Sequence, residues 1–447
     1  MTRKDQDFSE TIFAPATAPG RAGVSIIRIS GSGIKSAFQE MAGSVPPARQ
    51  AVLRILKDRD GTPIDQALCL YFDGPDSFTG EDVAEFHIHG SPAVVSACLD
   101  RLSSFSGFRI AEPGEFARRA FENGKLDLSE VEGLADLIDA ETEIQRRQAL
   151  RQLQGGLTRE SDRWRDELIR AMALFDAELD FSDEADVDTA VFVEARGILS
   201  ALAKDMRDAL SKASWGERIR NGFVVLLAGP PNSGKSTLLN ALASRDVAIV
   251  SDRPGTTRDL IEVRLDLKGL PVLLIDSAGI RESADEIETE GIRRTLDQLN
   301  RADLVLWLQS CVGERVGPAP EILSSGCRII EVVTQVDRAD DVSRADLSIS
   351  AKTGLGMDRL VDLISTQIMT NFERGAGSVL LTRARHRAAV EESLDLIDRA
   401  LAAGHGTGVE LIAEDIRLAA RAIGKITGNV SVDDVLDRLF SSFCIGK

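Results

Sequence analysis

A glycine-rich segment near the middle of the chain has the residue types and spacing of a phosphate-binding loop. Residues 229–236 read Gly-Pro-Pro-Asn-Ser-Gly-Lys-Ser, between an apolar run and a helix-forming stretch. Backbone N–H groups in such a loop point at phosphates, Lys235 reaches the β- and γ-phosphates, and the Ser236 hydroxyl suits Mg²⁺. Because strand, loop and helix follow in the required order, an ordinary glycine turn is the weaker explanation. The predicted nucleotide contacts here are Asn232, Ser233, Gly234, Lys235, Ser236 and Thr237.

Three further segments follow in the order that a GTP-hydrolysing domain needs. Residues 255–259, Gly-Thr-Thr-Arg-Asp, supply a threonine that can complete the Mg²⁺ shell. Residues 276–279, Asp-Ser-Ala-Gly, end a strand, so that the aspartate faces the metal and the glycine N–H can sense the γ-phosphate. Residues 350–352, Ser-Ala-Lys, end a later strand, where a backbone N–H can meet the base. The predicted GTP contacts in these segments are Thr256, Thr257, Asp276, Ser277, Ala278, Gly279, Ser350, Ala351 and Lys352.

The base-recognition segment departs from the usual pattern. Guanine-specific proteins usually carry Asn-Lys-x-Asp, whereas residues 334–337 read Thr-Gln-Val-Asp. The Asp337 carboxylate can still accept hydrogen bonds from both N–H groups on the guanine edge, a pair that adenine does not offer. The missing asparagine and lysine would have bonded the base and covered its face. We therefore predict that the preference for GTP is kept and that affinity for the base is reduced.

The hydrolytic machinery shows a second departure. Ras-like proteins place a glutamine just after the glycine of Asp-x-x-Gly to orient the attacking water, and here that position is Ile280. Four glutamates follow downstream, at Glu282, Glu286, Glu288 and Glu290. By spacing alone each of them could lie on a solvated face. Either another group orients the water or hydrolysis is slow.

The elements that must position these residues begin with a mixed region. Up to about residue 120, strand-like runs at 24–30, 66–72 and 83–90 precede a helical stretch at 92–105, which indicates a compact α/β domain. From residue 222 strands alternate with helices over about 150 residues, as in a second α/β domain. The strands predicted there are 223–229, 263–269, 271–276, 303–310, 328–337 and 347–350.

Helical periodicity lies on both sides of this second α/β region. A capping box is predicted at Ser129 and Glu132, and the helical pattern runs to about residue 215. After about residue 375 it resumes, and Ser431 with Asp434 predicts the start of a last helix. One face of the later helical region is predicted from Ile412, Ile416, Ala419 and Ile423.

This arrangement predicts α/β domains combined with an all-α part. One helical domain interrupted by an inserted domain is the economical topology, although two separate helical domains fit the periodicity equally well. The predicted fold class is an N-terminal α/β domain, a discontinuous helical domain and an inserted Ras-like P-loop G domain. The predicted bounds are 1–124 for the N-terminal domain, 125–217 and 376–447 for the helical segments, and 218–375 for the G domain.

Composition restricts the partners and the compartment. The formal net charge of −18 repels phosphate backbones on average, so a nucleic-acid partner needs a local basic patch or a second protein. Five scattered cysteines without metal or redox spacing favour a reducing cytoplasm. No apolar run has the length of a membrane span, and residues 1–10 lack the apolar core of a secretion signal.

Several stretches outside the nucleotide motifs make the chain resemble the MnmE (TrmE) family of tRNA-modifying GTPases. They lie at residues 16–31, 74–90, 113–128 and 443–447, and the resemblance covers essentially the whole length. It implies that the N-terminal domain binds 5-formyl- or methylene-tetrahydrofolate and drives formation of a homodimer. It also implies a heterotetramer with an FAD-dependent MnmG-type flavoprotein. Together such proteins install an aminomethyl-type (carboxymethylaminomethyl) group at C5 of the wobble uridine of certain tRNAs.

The resemblance also implies roles for single residues. Ser236 and Thr257 match the Mg²⁺ ligands, and Glu288 matches the catalytic residue that orients water. A K⁺ ion at the phosphates, which promotes pairing of two G domains, has its matching ligands at Asn232, Ser251, Arg253 and Thr256. The folate contacts match Arg28, Glu85, Lys125 and Lys447, which without the family would be interpreted as ordinary surface charges.

Other reactive residue types have ordinary explanations beside functional ones. His87 and His89 share one strand face and could begin a metal site, but a structural role is favoured because no third ligand is evident. Cys444 could be a nucleophile or a terminal thiol. The basic cluster at 383–387 could touch RNA or form a solvated helix face.

Three functions compete at this point. The leading one is a K⁺-stimulated GTPase that acts with a flavoprotein on tRNA. The alternative is a GTP-controlled binding protein for ribosome assembly, which normally adds a basic RNA-binding module that both flanks here lack. A stand-alone one-carbon transferase with a vestigial G domain is disfavoured by the intact phosphate loop.

Overall fold

The structure is a computed structural model that describes most of the chain. The described residues are 10–180, 188–245, 247–249, 262–276, 299, 301–312, 316–318, 320–338, 347–373, 380–403, 408–430, 436, 439–441, 443 and 446. Contacts divide the chain into two compact units. The first comprises Met1–Ala135, Leu153–Asp162 and Ile423–Lys447, and the second comprises Asp136–Gln152 and Arg163–Ala422.

The first unit contains a six-stranded sheet. Its strands are β1 (Thr11–Pro15), β2 (Ala22–Ser30), β3 (Val52–Lys57), β4 (Pro63–Phe72), β5 (Val83–Gly90) and β6 (Phe108–Ile110). They lie in the order β3-β4-β5-β2-β1-β6, antiparallel except for the parallel pair of β1 and β6. In β5, buried residues alternate with more accessible ones, because one face of the sheet packs on the core.

Helices cover the buried face of this sheet and continue the first unit. Helices α1 (Ile34–Ala42) and α2 (Pro92–Ser103) contribute Phe38 and Leu102 to the core beneath the sheet. A second apolar cluster joins α3 (Glu115–Glu122) to the chain end, where Phe121 and Phe440 are both buried. The C-terminal segment is therefore held against the N-terminal part of the same unit.

Long helices form one part of the second unit. They are α5 (Glu143–Leu153), α6 (Gly156–Asp180), α7 (Asp188–Asn221), α11 (Ala384–Ala402) and α12 (Val409–Thr427), of which α5, α6 and α12 also contribute residues to the first unit. Helix α4 (Leu128–Ile138) lies mostly in the first unit and ends in the second. Helix α7 packs along α11. The predicted apolar face of α12 is confirmed, since Ile412, Ile416 and Ala419 are buried. Among the described helices, none has both the length and the apolarity to span a bilayer.

The start of α4 differs from the predicted capping box. Asp127, rather than Ser129, precedes the first helical residue, and its Oδ1 accepts a hydrogen bond from the Glu130 N–H at 2.9 Å. The Glu130 carboxylate accepts a bond from the Asp127 N–H at 2.9 Å, so the box is shifted by two residues from Ser129 and Glu132. Ser129 is fully buried and donates its hydroxyl hydrogen bond to Asp127. The prediction was wrong because an aspartate two residues earlier caps equally well. The last predicted helix start, Ser431, lies outside the described residues.

The second sheet supplies the framework of the nucleotide motifs. Its strands are β7 (Phe223–Ala228), β8 (Glu262–Leu267), β9 (Leu270–Asp276), β10 (Leu304–Ser310), β11 (Arg328–Thr334) and β12 (Leu347–Ser348). They lie in the order β12-β11-β10-β7-β9-β8, parallel except that β8 runs antiparallel to β9. Helices α8 (Lys235–Ala243), α9 (Pro320–Ser324) and α10 (Met357–Glu373) accompany the sheet. Strand β10 is almost continuously buried, as expected for a parallel strand covered on both faces.

All predicted strands of this sheet are confirmed, with ends that differ from the predicted ones by one to three residues. Strand β11 ends at Thr334 and β12 spans only two residues. The residues after Thr334 turn away into a short 3₁₀ helix at Val336–Arg338. The carboxyl ends of the parallel strands meet at one edge, which is where ligands bind in open α/β sheets.

Candidate functional site

The loop between β7 and α8 has a backbone that only its particular residues can adopt. Gly229 has φ +149°, and a Cβ there would lie 2.2 Å from the Leu308 carbonyl oxygen on β10. Gly234 has φ +89° and directly precedes α8. Asn232 also has a positive φ of 62°, which asparagine tolerates better than most residues. The loop therefore passes close to β10 and delivers the start of α8 to the carboxyl edge.

The first residues of α8 place a cation and a hydroxyl at this edge. The Lys235 ammonium donates to the carbonyl oxygens of Gly229 and Pro230 at 2.9 and 3.0 Å. The Ser236 hydroxyl donates to Oδ2 of Asp276 at 3.1 Å, and Asp276 is fully buried at the end of β9. A carboxylate beside a hydroxyl is the hard-oxygen donor pair that Mg²⁺ takes in addition to water and phosphate oxygens.

The loop also contains a buried hydroxyl, that of Ser233, which is suited to bind a ligand. Within the described part of the chain, the Ser233 hydroxyl oxygen is buried and has no hydrogen-bond partner. Buried polar atoms in native proteins are normally paired. A phosphate oxygen at this loop would satisfy the hydroxyl, so the residues present fit a nucleotide.

The residues predicted to recognise the base meet at the ends of β11 and β12. The Ser350 hydroxyl donates to Oδ1 of Asp337 at 2.7 Å, and Asp337 is exposed. This hydrogen bond lowers the pKa of Asp337 below its ordinary value, with a smaller contribution from the nearby Lys352 charge. Residues 351–353 continue as a turn after Ser350. The structure thus brings together an ionised carboxylate and the Ser-Ala-Lys segment, which sequence separates.

Several predicted site residues lie outside the described residues. They are Ser251, Arg253, Thr256, Thr257, Ser277, Ala278, Gly279, Glu288 and Lys447. Their assignments to GTP, Mg²⁺, K⁺, water and folate stay predictions. Among the described residues no cluster of three or more His, Cys, Asp or Glu could hold a metal ion.

A second group of candidate residues lies on the sheet of the first unit. Arg28 on β2 faces Glu85 on β5, and its Nε and Nη2 donate to Oε1 at 3.0 and 2.9 Å. The Arg28 guanidinium carbon lies 5.3 Å from the ring centre of Phe78 and 5.9 Å from that of Phe116. His87 is 3.3 Å from Oε2 of Glu85. An ion pair beside two aromatic rings can recognise a flat, polar ligand.

Two of these neighbours were missed by the sequence reasoning. Phe78 lies within the stretch 74–90 that resembles the family, yet nothing in the spacing connects it or Phe116 to Arg28. Lys125 is exposed. It lies beside the loop that contains Phe78 and Gly80, since a Cβ on Gly80 would lie 3.3 Å from the Lys125 Cγ. The sheet therefore brings Arg28 and Glu85 into contact and leaves Lys125 beside the neighbouring loop.

The remaining reactive residues have structural partners where they are described. His89 bonds to Asp65 rather than to His87, at 2.8 Å. Burial raises the pKa of Cys69 and of Cys98 to about 12, so these thiols are unreactive at neutral pH. Cys444 lies outside the described residues.

The basic cluster at 383–387 is largely engaged in ion pairs. Arg383 contacts Asp136 at 2.7 Å and Arg387 contacts Glu217 at 3.4 Å, while His386 is fully buried. These partners neutralise two of its charges and favour the structural explanation over a nucleic-acid contact.

Comparison with known families covers nearly the whole chain. The family described as the GTP-binding protein TrmE N-terminus matches residues 11–125. The family described as the MnmE helical domain matches residues 128–444. Together with the two sheets and the helical segments described above, these matches confirm the predicted fold class.

Two full-length relatives give the same result. The tRNA modification GTPase MnmE of Methylobacterium radiotolerans is 52% identical over 452 residues, which cover 98% of this chain and 99% of that protein. The tRNA modification GTPase MnmE of Beijerinckia indica subsp. indica is 49% identical over 440 residues, with 98% and 96% covered. Among solved structures, the G domain of the T. maritima FeoB iron transporter is 28% identical over 33% of this chain and 98% of that one, with a TM-score of 0.26. The two family matches and the full-length relatives show that the chain belongs to the MnmE (TrmE) family of tRNA modification GTPases.

Proposed function

We propose that the chain binds and hydrolyses GTP at the carboxyl edge of its second sheet and acts in the modification of tRNA. The observation that carries this proposal is the meeting of three separate segments at one edge. These are the phosphate loop, the Ser236–Asp276 pair and the Asp337–Ser350 pair. The full-length relatives, which are named tRNA modification GTPases, support the same function.

Two cations belong to this proposal. Ser236 and Thr257 hold Mg²⁺, and Asn232, Ser251, Arg253 and Thr256 hold K⁺. When bound, the cations neutralise negative charge that develops on the phosphate oxygens, as an arginine finger would. The contact of Ser236 with Asp276 supports the Mg²⁺ assignment, since it places two oxygen ligands side by side. Glu288 orients the attacking water in place of the glutamine that Ile280 replaces.

The sheet of the first unit is proposed as the site of a tetrahydrofolate carrying a one-carbon group. Arg28, Glu85, Lys125 and Lys447 contact it, with Phe78 beside Arg28 as a surface for the flat ring. Gly446 packs directly against β1, because a Cβ there would lie 2.0 Å from the Pro15 carbonyl oxygen. This close contact supports the assignment of the neighbouring Lys447 to the folate site. The carrier is 5-formyl- or methylene-tetrahydrofolate.

The net charge and the family support the proposed partners. The chain forms a homodimer and works in the cytoplasm with an MnmG-type FAD-dependent flavoprotein on tRNA, as a heterotetramer. The net charge of −18 supports a division of labour in which the flavoprotein supplies most of the surface that binds tRNA. The reaction installs a carboxymethylaminomethyl-type group at C5 of the wobble uridine.

Turnover of GTP in K⁺ and in Na⁺ tests this proposal. We expect faster hydrolysis in K⁺, and we expect the Glu288→Ala variant to bind GTP normally and to hydrolyse it at least about a hundredfold more slowly. Equal hydrolysis rates in both salts would refute the assignment of the K⁺ ligands but would not affect the proposed nucleotide site. If Lys235→Ala kept both guanine-nucleotide binding and tRNA modification, the proposed function would be wrong.

A further inference from the structure

Thr334 connects the end of β11 to the phosphate loop. The residue is 4% exposed, and its hydroxyl lies 2.6 Å from the Ser233 carbonyl oxygen and 3.1 Å from that of Gln309. A hydroxyl has a single proton to donate, and both acceptors are main-chain carbonyls. Thr334 therefore fastens the end of β11 to the phosphate loop and to β10, and has no donor to spare for a base.

Gln335, the first residue after β11, makes a second connection to the phosphate loop. Its Nε2 donates to the Asn232 carbonyl oxygen at 3.1 Å, across the phosphate loop. Its Oε1 accepts from the Ser310 hydroxyl at 3.1 Å and from Arg338 at 3.2 Å. The Gln335 backbone has φ +60°, and its carbonyl oxygen accepts from the Cys311 thiol at 2.9 Å. Side chain and backbone are thus both fixed.

The chemical difference from the usual lysine lies in charge. A lysine at this position could also donate to the Asn232 carbonyl, while its stem covers the face of the base and its ammonium attracts the ring. The Gln335 side-chain amide also donates to the Asn232 carbonyl, but it carries no charge. Its oxygen already accepts hydrogen bonds from Ser310 and Arg338. The connection between loops is retained, and the charged cover over the base is lost.

We propose that Thr334 and Gln335 form a neutral tie between the base-recognition loop and the phosphate loop, and that Gln335 sets how long a guanine nucleotide stays bound. The inference rests on the proposed nucleotide site and goes beyond it by assigning a residue that determines dissociation. Among residues 334–337, Asp337 remains the one whose side chain binds the edge of the base. This tie fixes the phosphate loop through its carbonyl oxygens. The base itself dissociates quickly, because no cation at position 335 covers the face of the base.

Release of fluorescent mant-GDP, measured by stopped flow on the full chain, tests the proposal. Gln335→Lys keeps the donor and adds the charge, so dissociation should slow by about two- to thirtyfold. Gln335→Met keeps the length and removes the donor, so dissociation should quicken by about two- to tenfold. In Gln335→Lys, dissociation of mant-IDP should slow by the same factor as that of mant-GDP, since a lysine covers the face of either base whether or not the base has a 2-amino group.

A matched variant controls for added charge. Gln367 on α10 lines a cavity with Phe223 and Leu304, at the amino edge of the sheet, so Gln367→Lys should leave release unchanged. The proposal is wrong if Gln335→Lys releases mant-GDP at the wild-type rate or faster, or if Gln335→Met is indistinguishable from wild type while folded by circular dichroism. It is also wrong if Gln335→Lys slows mant-GDP alone. Failure of wild type to bind mant-GDP would instead overturn the proposed nucleotide site.

Discussion

In the proposed nucleotide site, Asp337 is the exposed side chain that selects the base. Its carboxylate is fixed by the Ser350 hydroxyl, which also lowers its pKa below the ordinary value, so it is ionised at neutral pH. An ionised carboxylate only accepts hydrogen bonds, which matches the two N–H groups of guanine.

Replacement of Asp337 by asparagine should exchange the preferred base. The amide of the Asp337→Asn variant would present a donor, which suits the 2-carbonyl of xanthine and leaves the guanine 2-amino group without an acceptor. We expect mant-GDP affinity to fall by about ten- to a hundredfold and mant-XDP affinity to rise. Equilibrium fluorescence titration measures both. Unchanged preference for guanine would show that Asp337 does not read the base.

Gly229 is the residue at which the phosphate loop is most sensitive to added volume. A Cβ there would lie 2.2 Å from the Leu308 carbonyl oxygen, a distance that no side chain tolerates. Gly229→Ala should therefore displace the loop and weaken nucleotide binding at least about tenfold. Gly317→Ala is the matched control, because a Cβ at Gly317 meets no atom within 4 Å. Titration with mant-GDP compares the two, and equal affinities would contradict the close packing against β10.

At the scale of elements, α4 depends on a cap that lies before the predicted one. Asp127 and Glu130 each accept a hydrogen bond from the other's N–H group. Asp127→Ala should lower the free energy of unfolding by about 0.5–2 kcal/mol, as measured by urea denaturation. Asp127→Asn keeps an oxygen at the cap and should cost much less. If both variants lost the same stability, the capping contribution would be refuted.

The strands show where an element can be predicted and where it cannot. The apolar run at 303–310 predicted β10 to within one residue, because a parallel strand buried on both faces needs apolar residues throughout. The end of β11 could not be predicted, since Gln335 turns away with φ +60° to meet the phosphate loop. That turn depends on a partner 103 residues earlier in the chain.

At the scale of the whole molecule, one carboxylate joins the chain segment that enters the second sheet region and the segment that leaves it. Oδ1 of Asp136 accepts from Arg220, just before β7, at 2.9 Å and from Arg383, just before α11, at 2.7 Å. The side chains of Asp136 and Arg383 are each only 16% exposed. Gln145 adds a bond to the Arg220 carbonyl oxygen at 3.2 Å. The entry and exit of the segment 221–383 are therefore held at one point within the second unit.

Asp136→Asn should weaken this point without touching the nucleotide site. Removing a partly buried charge that two arginines share should cost about 1–3 kcal/mol of unfolding free energy, measured by urea denaturation. Asp398→Asn is the control, because Asp398 pairs with Arg207 in an exposed position and should cost at most about 1 kcal/mol. Equal losses in the two variants would contradict a special role for Asp136.

The sequence by itself determined the fold class and the phosphate loop, and it predicts a carboxylate for the guanine edge. Each of these depends on local requirements, such as glycine at positive φ, apolar strands and one residue type at a strand end. The tertiary structure alone decided which side chains pair across the chain. Arg28 meets Glu85 from 57 residues away, and Asp136 meets Arg220 and Arg383 from 84 and 247 residues away. Such partners are chosen by the three-dimensional distance between atoms, which spacing along a single chain does not encode.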